Sequence, residues 1–169
     1  MISGLTYKIL ACSASPGYPM DDVVDWAVEM MQLGYESENL YILAGLTKPI
    51  LYAETAGYLR STLSDLGFKE LSGDDAKLSY ASYYVRLLSK GEDVRQHLKN
   101  IFNHPFDIFD CTYNFRLLYW AWEDFDYGLT FSCEWPDATP ATIEQETINT
   151  AREWLAENEN RLNSFIIQH

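Results

Sequence analysis

The chain has 169 residues, 47% hydrophobic and 15% aromatic, with a formal net charge of -13. That length and composition suit a single folded domain, residues 1–169, with a sizeable core, and exclude disorder. The charge disfavours a nucleic-acid backbone or an anionic membrane as partner, since both are polyanions, and no stretch reaches the roughly 18 apolar residues of a membrane span.

Three cysteines, Cys12, Cys111 and Cys133, lie far apart and form no CxxC pair. This pattern fits reduced thiols in a cytoplasmic protein, not a disulfide framework or a zinc site. Only three apolar residues separate Lys8 from Cys12, too few for the apolar core of a signal peptide, so export is not expected.

Residues 1–15 are open to a short helix or a strand, and Ser15-Pro16-Gly17-Tyr18-Pro19 is a break. A helix is then predicted from Asp21 or Asp22 to Leu33, with Val23, Ala27 and Met30 inside and Asp22, Asp25, Glu29 and Gln32 outside. Leu33-Gly34-Tyr35 reads as a glycine helix stop closed by an apolar residue, and Leu66-Gly67-Phe68 repeats it. Ser37 should cap a short buried helix over 38–44.

The next helix is predicted from Thr47 or Lys48, with Pro49 in its first turn, to Leu66. Tyr52, Ala56, Leu59, Leu63 and Leu66 keep four-three spacing on one face, and Gly57 either weakens the helix or admits a close neighbour. A helix to Lys90 after Ser72-Gly73-Asp74 carries Leu78, Ala81, Val85 and Leu88 inward. Asp93 should cap a shorter one to Phe102, with Val94, Leu98 and Ile101 inside, before the break at Asn103-His104-Pro105.

The stretch 105–128 organises the rest. Cys111, Phe115, Leu118, Trp122 and Phe125 share a helical face, and Tyr113, Leu117, Trp120 and Ala121 form a second apolar stripe. A helix apolar around most of its circumference is expected in the core. Glu123, Asp124 and Asp126 crowd its carboxyl end, where the helix dipole disfavours acids by about 0.3–1 kcal/mol each. A nearby Lys or Arg, a cation, a basic partner or plain solvation would compensate.

After Gly128, Leu129, Phe131, Cys133 and Trp135 alternate with polar residues, which predicts a minor extended segment over 129–135. Thr139-Pro140 is expected to start the last long helix, with Ile148, Ala151, Leu155 and Leu162 on its buried side. The expected fold is therefore all-α, with about seven helices.

The sequence carries no HExxH, no G-x-S-x-G, no phosphate loop and no histidine at metal-ligand spacing, so no catalytic residue, metal or cofactor is assigned. Two acidic arrangements stand out. Asp22, Asp25 and Glu29 make an acidic helix face. Trp122, Glu123, Asp124, Asp126, Tyr127, Glu134, Trp135 and Asp137 mix acids with aromatics in the way a protein-binding hot spot does. In character, though without a motif, the chain is similar to immunity proteins, which present carboxylates to basic toxin domains. The expected function is thus a non-enzymatic, cytoplasmic inhibitor of a basic protein partner such as a nuclease toxin. The alternatives are a metal-dependent hydrolase, whose carboxylate spacing resembles that of all-helical nucleotide pyrophosphohydrolases, and a helical scaffold.

Overall fold

The computed structural model describes residues 1–12, 20–103 and 109–166. Over these it is all-helical, with no strand. Eight α-helices are present among the described residues: α1 Thr6–Ile9, α2 Asp22–Gln32, α3 Glu38–Ala44, α4 Tyr52–Asp65, α5 Gly73–Lys90, α6 Val94–Phe102, α7 Tyr113–Asp126 and α8 Ile143–Ser164. A short 3-10 helix, Phe109–Cys111, precedes α7. Contacts cluster into two units, Met1–Tyr80 with Arg161–His169, and Ala81–Asn160.

In the first unit, α2 packs on α1 and α3, and α3 packs on α4. Val23, Ala27 and Met30 are buried as their spacing requires, and Trp26 joins them. The Trp26 indole N–H donates to Thr6 Oγ1 at 3.0 Å, which ties α2 to α1. Ser79 donates to the Tyr7 carbonyl at 2.6 Å. These buried polar groups thereby keep partners, as burial demands.

Local punctuation decides where α2 and α4 stop. Tyr35 N–H bonds to the Met30 carbonyl, and Phe68 N–H to the Leu63 carbonyl. Both are the six-to-one bonds of a Schellman motif, and the two closing aromatics lie with ring centroids 6.5 Å apart. The two Leu-Gly-aromatic stops are thus neighbours in space as well as alike in sequence.

In the second unit, Val85, Leu88, Val94, Leu98, Ile101, Phe115, Leu118 and Ala121 belong to one buried cluster. Trp154 packs on it and donates its indole N–H to the Cys111 carbonyl at 2.7 Å. The four-three periodicities place Ala81, Val85 and Leu88 of α5, the predicted inner residues of α6, and Phe115, Leu118 and Phe125 of α7 in this core, with Cys111 and Trp122 packed against it; Leu78 is buried in the first unit.

Of the two forms open to residues 1–15, the described part takes the helix, confined to Thr6–Ile9, with Leu5, Ile9 and Cys12 all buried. Several expectations are corrected. The α4 helix begins at Tyr52, not at Thr47 or Lys48, because Ile50 N–H is taken by Asp21 Oδ1 at 2.9 Å and Leu51 is extended. The last helix begins at Ile143, because residues 139–142 form a turn in which Thr142 Oγ1 accepts from Thr139 N–H at 2.9 Å. In α3 only Leu40 and Leu43 are buried, and Tyr41 and Ile42 face solvent. In α7 the second stripe is split: Ala121 is buried, while Tyr113 and Trp120 are exposed. A seven-residue helix, or one packed from one side, has no second buried face to offer. Gly57 has open space around it, so it serves no close approach. The breaks at 15–19 and 104–105 and the last three residues lie outside the described residues.

Candidate functional site

The acidic end of α7 has its compensating charge close by. Arg95, on α6, ion-pairs with Glu123, and its Nη2 lies 3.0 Å from Asp126 Oδ2. α6 and α7 pack together, so α6 carries a cation to the carboxyl end of α7, where the helix dipole favours one. The guanidinium carbon also sits 4.8 Å from the Tyr119 ring centroid and 5.4 Å from that of Trp122. Both distances are within cation–π range. Burial raises the Tyr119 hydroxyl above its ordinary pKa; the neighbouring Glu123 adds to this and Arg95 opposes it. Asp124 has a different partner: Ser132 donates its hydroxyl to Asp124 Oδ2 at 2.6 Å.

Gly128 sets the course of the chain beyond α7. It has φ +90°, a conformation that side chains with a Cβ disfavour. Leu129 N–H then reaches back to the Asp124 carbonyl at 3.1 Å, a third Schellman closure. Here, however, the residue after the glycine stays outside the core.

The alternation over 129–135 is consequently broken at its start, and of its apolar residues only Trp135 packs on the core. The sequence pattern suggests apolar residues packed on the helices and polar residues outside. Instead Ser132 is 1% exposed, while Leu129 and Phe131 are 52% and 56% exposed, and Tyr127 is 85% exposed. Ser132 Oγ accepts from Glu134 N–H at 3.2 Å while donating to Asp124. Two hydrogen bonds, one to a carboxylate, hold the serine inward and leave its apolar neighbours outside. The segment is a series of bends, not a strand.

Trp122 and Trp135 are half-buried and packed against the core cluster of this unit. Glu134 is half-buried, Asp137 is exposed, and neither carboxylate forms an ion pair among the described residues. Leu129, Phe131, Ser132 and Arg95 join the sequence-derived set. Gly128 was the available signal for the first three. For Arg95 there was none, since its partners are 28 and 31 residues away.

The second acidic face sits in the other unit and is occupied from within. Asp22 ion-pairs with Lys8, Asp25 with Lys48 at 2.6 Å, and Glu29 accepts from the Ser3 hydroxyl. Among the described residues, no three His, Cys, Asp or Glu side chains are grouped so as to hold a metal. Burial pushes the Cys12 thiol up to about 12, which keeps it protonated and unreactive. No helix among the described residues is long and apolar enough to cross a membrane. Compared with known proteins, the chain matches no family model, no curated sequence and no solved structure.

Proposed function

We propose that this chain is a non-enzymatic, acidic binding protein, acting in a bacterial cytoplasm as an inhibitor of the immunity-protein kind against a basic toxin. The observation that carries the reading is the outward run Tyr127, Leu129 and Phe131 amid acids. Residues 123–137 contain five acids and no base. Burying a large apolar side chain on association contributes roughly 1.5–3 kcal/mol, so three of them supply the anchors that charge alone lacks. The net charge of -13 adds fast, salt-sensitive encounter with a cationic surface.

An immunity protein is expected beside its toxin in the genome. The test is to express the product of the adjoining gene alone and with this chain, and to mix the purified pair in a calorimeter. Growth arrest relieved by co-expression, with a 1:1 complex, supports the reading. Absence of any complex at micromolar concentration overturns it.

A further inference from the structure

We infer that the acids around α7 divide into two sets, an inner set that holds the surface in shape and an outer set that meets a folded basic protein partner. This division rests on the binding function proposed for the chain and says which residues carry it.

The inner set is Glu123, Asp124 and Asp126. Arg95 closes on the first and third, and Ser132 on the second. A carboxylate already held by an internal donor gains little from a partner's cation, because one bond is exchanged for another. The outer set is Glu134 and Asp137, which form no ion pair among the described residues. They come after Tyr127, Leu129 and Phe131 in the chain, so apolar anchors and uncommitted charge belong to one short segment.

The anchors also say what kind of basic protein fits. Three large side chains that project into solvent at 52–85% exposure need a concave receptor to become buried. An extended basic peptide offers no recess. A folded domain with an apolar recess rimmed by Lys or Arg offers both the burial and the complementary charge. A second copy of this chain is disfavoured by its own charge of -13.

The experiment uses the full chain and the purified product of the adjoining gene at 0.15 M salt. There, screening over about 8 Å limits distant charges. Five variants are compared: Phe131→Ala, Glu134→Gln, Asp137→Asn, Glu123→Gln and Asp124→Asn. We expect Phe131→Ala to weaken binding at least tenfold, and Glu134→Gln and Asp137→Asn to weaken it about fivefold each. Glu123→Gln should change affinity less than twofold while lowering the melting temperature. Asp124→Asn should lower the melting temperature and weaken binding only by loosening the segment, with a raised exchange rate at residues 129–134. The outer variants should melt like the parent chain. If Glu123→Gln weakens binding as much as Asp137→Asn, or if the outer variants melt as low as the inner ones, the division is wrong. If the parent chain itself does not bind, the binding function fails instead.

Discussion

Ser132 and Asp124 are joined by a 2.6 Å hydrogen bond that spans the glycine ending α7. This bond turns a polar residue inward and its apolar neighbours outward. It therefore connects a local sequence feature, the helix stop, to an exposed apolar run in an acidic stretch. Replacing Ser132 with Ala removes a donor to a carboxylate and an acceptor for Glu134 N–H. We predict a loss of about 1–3 kcal/mol, read by urea unfolding. Hydrogen exchange should quicken at residues 129–134 and stay unchanged in α2.

Arg95 is the counter-charge for the carboxyl end of α7. Arg95→Gln should leave Glu123 and Asp126 facing the helix dipole and each other. The side chain is 30% exposed and its Nη1 is buried without a hydrogen bond, so its net contribution is modest. The expected cost is about 1–2 kcal/mol, smaller than for a fully buried pair. Raising salt should narrow the gap between parent and variant, and a thermal melt at two salt concentrations reads this.

Two glycine substitutions should have opposite signs. Gly128→Ala forces a Cβ into φ +90° and should destabilise by about 1–2 kcal/mol. Gly57→Ala lies inside α4 with open space around the new methyl group. It should stabilise by about 0.5–1 kcal/mol through helix propensity and a less free unfolded chain. Paired urea titrations decide both signs.

Cys12 supplies a pH prediction. Its thiol is pushed from 9.0 to about 12 by burial, with Asp22 also raising it and Lys8 opposing. Above pH 9 the unfolded chain loses this proton while the folded chain keeps it. Unfolding is therefore favoured, and this contribution to stability falls as pH rises from 9 toward 12. Cys12→Ala should flatten that part of the stability curve. In the native protein at neutral pH, exposed Cys133 should react with a thiol reagent and Cys12 should not.

The helices were legible wherever the signal is local and periodic. Leu59, Leu63 and Leu66, or Val94, Leu98 and Ile101, sit where four-three spacing puts them. The stops at Gly34 and Gly67 were legible because a Schellman motif is made by adjacent residues. Starts were less so. Pro49 and Thr139-Pro140 carry helix-start chemistry, yet Asp21 captures Ile50, and Thr142 captures Thr139. For the candidate site, the sequence pointed to this stretch but not to the orientation of its side chains. Alternation fixes a period of two and leaves open which face turns inward, and here Ser132 decides it. Arg95 was invisible because its ion pairs join helices far apart in sequence.

The central claim is that residues 127–137 form the docking surface. Hydrogen–deuterium exchange of the chain, alone and mixed with the purified product of the adjoining gene, tests it most directly. The account predicts new protection confined to residues 127–137, with α2 and its acids Asp22, Asp25 and Glu29 unchanged. Protection over α2 with 127–137 still exchanging freely, or no complex at all, would contradict it.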